Sequence, residues 1–188
     1  MQHTPDFYII TGGPGVGKTT LIRALERLGF GVVPEDARRI IKEQVATGGD
    51  ALPWNNKGRY AQLMLEAAVS AYQHIARQNS SKPVFFDRGM LDAVCYMEME
   101  QLPVPERIAE LLSAHPYARK VFILPPWEEI YMTDAERKQS WQEAVYTFEQ
   151  MKATYEAYEY EVTEVPQSNV DERCAFIIKH TIGLTGDL

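Results

Sequence analysis

The sequence predicts an α/β chain, a parallel sheet with helices on both faces. Short apolar runs alternate with segments of helical apolar spacing, and the runs are apolar throughout rather than at every second residue. A glycine-rich loop also joins the first run to the first helix, the order in which such sheets present a ligand-binding turn.

Phe7-Tyr8-Ile9-Ile10-Thr11 is β-branched and aromatic, as a buried strand requires. The next eight residues, Gly12-Gly13-Pro14-Gly15-Val16-Gly17-Lys18-Thr19, fit the pattern GxxxxGK(S/T) at every fixed position. Thr20 to Leu28 repeats apolar residues at helical spacing and stops at Gly29. Gly31-Val32-Val33-Pro34 reads as a second strand and residues 37–46 as a helix, broken by Thr47-Gly48-Gly49-Asp50 and Pro53. A long amphipathic helix runs from Gly58 to Arg77, and Val84-Phe85-Phe86 is a third strand ending at Asp87. Helices follow at 91–99 and 106–114, then a strand at 121–124 stopped by Pro125-Pro126. A second long helix is expected over 135–158, a fifth strand over 161–165 and a closing helix over 172–182.

The glycine loop carries the most specific chemistry. Its backbone curls so that successive N–H groups point inward at a phosphate chain, while Lys18 supplies a mobile charge near the β- and γ-phosphates. The Thr19 hydroxyl is placed to hold Mg²⁺, and the helix N-terminus beyond it favours an anion. Gly12, Gly13, Pro14, Gly15, Val16, Gly17, Lys18, Thr19 and Thr20 are therefore expected to contact ATP.

The chain of 188 residues is sized for one core, so a single domain over 1–188 is expected, with a lid region at about 131–141. A formal charge of −7 argues against a nucleic-acid surface, which needs a dense cationic footprint. No apolar run is long enough to span a bilayer, and the N-terminus lacks the charged start and apolar stretch of a secretion signal. Cys95 and Cys174 make no metal or redox spacing and read as free buried thiols in a reducing cytoplasm. The four histidines are scattered, and none is given a role. The oligomeric state is open, a homodimer included.

Ligands of parallel sheets bind beyond the carboxyl ends of the strands, so polar residues there should converge. Asp87 follows three apolar strand residues, where a carboxylate would enter the Mg²⁺ shell or take a proton from an attacking hydroxyl; the alternative is a helix cap. Arg88 offers a fork that matches phosphate oxygens, or else it is an exposed arginine at a helix start. Glu35, past the second strand, is placed to bind or deprotonate a substrate hydroxyl, unless it only makes an acidic first turn. Arg137 and Lys138 stand at the mouth of a helix whose dipole prefers anions there, which points to phosphate contact from a lid or to a solvated, salt-bridged helix start. Trp54 either lines a substrate pocket or packs beneath its loop.

The whole chain resembles the bacterial AAA-family predicted ATPases, small P-loop proteins similar to the nicotinamide riboside kinase domain and, more distantly, to deoxynucleoside and thymidylate kinases. The resemblance lies in Ile9-Ile10-Thr11-Gly12 with its loop, VPEDARRI at 33–40, GGDALPW at 48–54, VFFDRG at 84–89, LPPWEEIY at 124–131 and DAERKQSWQEA at 134–144. It implies a three-layer α/β/α sandwich around five parallel strands in the order 2-3-1-4-5. It also implies that Glu35 matches the carboxylate ending strand two, Asp87-Arg88 the acid–arginine pair after strand three, and Arg137 the lid arginine. Two departures matter. Several kinase relatives place a hydroxyl residue or tyrosine where Gly89 stands, so the acceptor's identity is not carried over. Motor ATPases of the AAA name end the third strand in an acidic pair, whereas Asp87 is followed by Arg88.

The expected activity is transfer of the γ-phosphate of ATP, with Mg²⁺, to a hydroxyl or phosphate of a small molecule, nucleoside-like or otherwise. Lys18, Glu35, Asp87, Arg88 and Arg137 are the expected catalytic residues, and Thr19 with Asp87 the metal ligands. A regulatory ATPase without a small-molecule acceptor is the alternative. A guanine-specific switch is disfavoured, because Leu124-Pro125-Pro126-Trp127 stands where an NKxD element would follow the fourth strand.

Overall fold

The computed structural model describes residues 6–78, 82–130 and 140–182. Five strands, β1 (Phe7–Gly12), β2 (Gly31–Val33), β3 (Val84–Asp87), β4 (Lys120–Leu124) and β5 (Glu161–Glu164), form one sheet in the order β2-β3-β1-β4-β5. Every pairing is parallel. The helices are α1 (Lys18–Arg27), α2 (Ala37–Thr47), α3 (Lys57–Ala76), α4 (Met90–Met99), α5 (Ile108–Ala114), α6 (Trp141–Ala157) and α7 (Val170–Ile182).

Alternation along the buried strands feeds two cores. Ile9 and Phe86 point to one face, where Ala61 and Leu65 of α3, Leu91 and Val94 of α4 and Tyr155 of α6 cover them. Ile10, Phe85 and Phe122 point to the other, under Leu21 and Leu25 of α1 and Ile177 of α7. Both faces are thus closed, which is why the strand residues are apolar at consecutive positions. Each such large side chain, fully buried, contributes roughly 1.5–3 kcal/mol of transfer free energy.

The three-layer sandwich and the strand order match the expectation. Differences fall at element ends. β2 stops at Val33 because Pro34 has no N–H to give the ladder. The helix after the glycine loop begins at Lys18, two residues early, and α5 begins two residues late, at Ile108. α6 starts within the described residues at Trp141, where Ser140 accepts from the Glu143 N–H and the Glu143 carboxylate accepts from the Ser140 N–H, a reciprocal cap. The start expected at 135, and most of the lid region, lie outside the described residues. Among those that are described, no helix is long and apolar enough to cross a membrane.

Register places the strand tips beside one another. Ile10 pairs with Asp87 and Gly12 with Leu124, so the glycine loop leaves the sheet between the ends of β3 and β4. That is the crevice at which a parallel sheet offers a ligand site.

Candidate functional site

The glycine loop is shaped by contacts that tolerate no side chain at its first position. A Cβ on Gly12 would stand 2.7 Å from the carbonyl oxygen of Leu124, a backbone atom that cannot move aside. Gly15 and Gly17 take positive φ of 79° and 83°, turning the chain back so that α1 starts at Lys18. No acidic residue occupies the first turn of α1, and Thr19 and Thr20 are exposed there. Lys18 is itself buried and donates to the carbonyls of Gly12 at 2.9 Å and Gly13 at 3.0 Å. Burial and the nearby Arg88 charge push its pKa down to about 8, against the pull of Asp87, Glu35 and Asp92. It remains cationic at neutral pH but is held tightly enough to be sensitive to its neighbours.

Beside the loop, Glu35, Asp87 and Arg88 come together as the sequence led one to expect. The Arg88 guanidinium donates from Nε to Glu35 at 2.8 Å and from Nη1 to Asp92 at 3.2 Å. Burial opposes its charge, but the carboxylates of Glu35, Asp92 and Asp87 outweigh that and raise its pKa. Glu35 is in turn lowered: burial works against its ionised form, and the Arg88 and Lys18 charges overcome it. Asp87 is raised, because its desolvation exceeds the help it receives from Lys18. Its Oδ1 is buried without a hydrogen-bond partner. Glu35 is therefore a fixed anion, while Asp87 is the carboxylate with an uncommitted oxygen and the greater tendency to take a proton.

Arg88 adopts φ of 74°, a left-handed conformation that is strained for an arginine. The carboxylate of Asp92 holds it there. Asp92 accepts from the Thr11 hydroxyl, the Gly89 N–H at 2.7 Å, the Tyr155 hydroxyl at 2.6 Å and Arg88. Four donors from two elements and a turn converge on one buried side chain of α4, so β1, the turn after β3, α4 and α6 are tied at a single point. Gly89 explains itself here: a Cβ on it would lie 2.5 Å from Ile9 Cδ1 and 3.5 Å from the Tyr155 hydroxyl. A side chain at position 89 would need Ile9 to move.

A cavity of about 540 Å³ opens from these residues between α2, α3 and α4. Glu35, Asp87 and Arg88 stand on its wall, with Tyr60, Met64, Tyr96 and Tyr117 giving it an apolar side. Trp54 does neither of the things expected of it: the residue is 67% exposed and Pro53, not Trp54, reaches the wall. Arg137 and Lys138 fall outside the described residues.

Asp92, Tyr155, Tyr117 and Arg173 were not anticipated. Asp92 did leave a signal, a lone carboxylate in the apolar run Met90-Leu91-Asp92-Ala93-Val94-Cys95, where an unpaired acid would be costly. Tyr155 falls at helical spacing from Phe148 and Met151, which marks it as core, and its hydroxyl has no signature in sequence. Arg173 of α7 is buried, donates to the Val16 carbonyl at 3.3 Å, and lies 5.9 Å from the Trp127 ring centroid. It packs against Gly17 from the far side of the loop and braces the turn.

Comparison with known proteins agrees with this architecture. NadR protein, solved in complex with NR, superposes with a TM-score of 0.68 at 18% identity, over 99% of this chain and 54% of that one. This chain thus spans about half the length of that relative. Deoxyadenosine kinase from M. mycoides, with products dCMP and dCDP bound, gives 0.62 at 16% identity, over 95% of this chain and 100% of that chain. Shikimate kinase from Acinetobacter baumannii, in complex with shikimate, gives 0.52 at 14% identity, over 99% and 97% of the two chains. At such identities the likeness establishes a fold shared with P-loop kinases. No curated protein matches the chain in sequence. The model of the AAA domain family, however, matches residues 7–173, from the first strand to the arginine that braces the glycine loop, and the chain belongs to that family.

Proposed function

We propose that this protein binds Mg·ATP on the glycine loop and transfers its γ-phosphate to a small molecule held in the adjoining cavity. The observation that carries this reading is the juxtaposition at the strand tips. A cation-bearing loop at a helix N-terminus adjoins a carboxylate with an unpartnered buried oxygen, at the mouth of a cavity of small-molecule size. The P-loop kinase fold of its neighbours is consistent with it.

The residues suit magnesium. Among those described, no group of three or more His, Cys, Asp or Glu side chains is arranged to hold a metal. Mg²⁺ needs only one or two protein oxygens when phosphates and water complete its shell. The exposed Thr19 hydroxyl and Asp87 Oδ1 supply such oxygens. Bound there, Mg²⁺ neutralises charge on the β- and γ-phosphates.

The loop amides and Lys18 grip the phosphate tail, and Lys18 exchanges two carbonyls for phosphate oxygens. Arg88, fixed by Glu35 and Asp92, presents a pre-set cation to the moving group, so that no reorganisation is needed as charge shifts. The acceptor oxygen forms the new P–O bond while the γ-phosphorus releases its bond to the bridging oxygen. ADP leaves with that electron pair, and the acceptor's proton passes to Asp87. Glu35 orients Arg88 and the acceptor.

The test is ATP turnover by purified protein with and without a metabolite panel, with products read by mass spectrometry. Stimulation by one compound together with its phosphorylated form supports the proposal. Turnover that ignores every small molecule and responds to a protein contradicts it and favours a regulatory ATPase.

A further inference from the structure

The wall of the cavity carries charges that narrow the choice of acceptor. Five carboxylates line it, Glu35, Asp36, Asp87, Asp92 and Glu100, against one basic side chain among the described residues, Arg88. Arg88 is already engaged by Glu35 and Asp92. Lys57 pairs with Glu100 and Arg39 with Asp36, and Lys18, beside Glu35 and Asp87, is committed to the glycine loop. An anionic acceptor would therefore be desolvated beside carboxylates, with no uncommitted cation among the described wall residues to receive it.

The rest of the wall asks for the opposite kind of molecule. Tyr60 and Tyr96 stack edge to face at 5.5 Å, and Met64 and Met99 continue the apolar side. Two hydroxyls on this wall, Tyr96 and Tyr117, are buried without a hydrogen-bond partner, and Tyr117 is only 3% exposed. A buried hydroxyl left unpaired is costly, and a polar atom of a bound molecule would satisfy it. Burial raises the pKa of both phenols, Tyr96 to about 12, so both stay protonated and can donate.

We infer that the acceptor is a hydroxyl-bearing molecule without negative charge and with an apolar or aromatic body, and that phosphate monoesters and carboxylates are refused. The inference rests on the phosphotransfer proposed above. It turns the open choice between a hydroxyl and a phosphate acceptor into a hydroxyl. Asp87 faces the reacting hydroxyl, and Tyr117 serves as a donor to a polar atom farther along the molecule.

Paired acceptors that differ only in charge provide the test. Nucleosides are offered beside their own 5′-monophosphates, and cyclohexanols beside carboxylated cyclohexanols, each with Mg·ATP, with phosphorylated product and ADP measured together. Uncharged members are expected to exceed their anionic partners by about 100-fold in kcat/KM. Tyr117→Phe is expected to raise KM for the preferred acceptor about fivefold to tenfold while leaving KM for ATP and thermal stability in place. Equal use of a monophosphate or a carboxylate overturns the acceptor class and leaves phosphotransfer standing. ATP bound in calorimetry but no product from any compound overturns phosphotransfer, and the acceptor class with it.

Discussion

The glycine loop and the cavity wall beside it are built on opposite plans. Eight consecutive residues make the loop, and its contacts are with backbone: carbonyls of Gly12 and Gly13 holding Lys18, a Leu124 carbonyl pressed against Gly12. The wall is made of side chains from distant elements, with Glu35 reaching Arg88 across 53 positions and Tyr155 reaching Asp92 across 63. A backbone site needs only the right local conformations, and these can be written in one motif. A side-chain site needs the whole fold in place before it exists, so its residues are coupled to stability as well as to chemistry.

The two plans should break differently. The largest effects on activity belong to the loop and the uncommitted carboxylate. Lys18→Ala and Asp87→Asn are each expected to lower phosphate transfer by about 10²–10³-fold, measured as kcat/KM, with little change in thermal stability for Asp87→Asn. Glu35→Gln should lower transfer while ATP affinity, measured by calorimetry, stays near that of the wild type. Equal loss of ATP binding would place Glu35 in the nucleotide site instead.

In the wall, stability should move with activity. Asp92→Asn strands Arg88, Tyr155 and Thr11 around a neutral amide and is expected to cost about 3 kcal/mol in denaturant unfolding. Gly89→Ala is expected to cost about 1–3 kcal/mol, because its new methyl meets Ile9 Cδ1. Ile9→Val removes that atom, so the double variant should recover part of the loss. Failure of the rescue would mean that something other than Ile9 excludes a side chain at position 89.

A subtler effect separates the loop from the wall by pH. Lys18 has its pKa lowered to about 8, and bound phosphate would raise it again. Its charge is complete below that value and is lost as pH rises through it. ATP affinity should therefore be level up to about pH 7 and fall between roughly pH 8 and 10, with binding there taking up a fraction of a proton. Calorimetry in buffers of different ionisation enthalpy reads that uptake, and Lys18→Arg should abolish it. The smallest effect is expected at Trp54, which is exposed and off the wall of the candidate cavity: Trp54→Ala should change stability by less than about 0.5 kcal/mol and leave KM values alone.

The same contrast governs what could be read from the sequence. The loop was legible because strand, glycines, Lys18 and Thr19 are contiguous, and the three inner strands β3, β1 and β4 were legible because doubly covered strands are apolar over consecutive residues. Glu35, Asp87 and Arg88 were legible by position, since each stands at or just past a strand end. Position could not assign their chemistry. Glu35 and Asp87 look alike in sequence, yet Arg88 lies against one and leaves an oxygen of the other unpaired. Nor could it reveal Asp92 as the anchor of Arg88, because helical spacing marks Tyr155 only as core and says nothing of where a hydroxyl reaches. Gly89 reads as a departure from kinase relatives until Ile9 is seen to occupy the space.

Calorimetric titration of the folded protein with a non-hydrolysable ATP analogue, with and without Mg²⁺, tests the central claim most directly. A saturable 1:1 isotherm is expected that requires the metal and is weakened at least about tenfold by Lys18→Ala. A flat titration of properly folded wild-type protein, or an isotherm indifferent to Lys18, would contradict it.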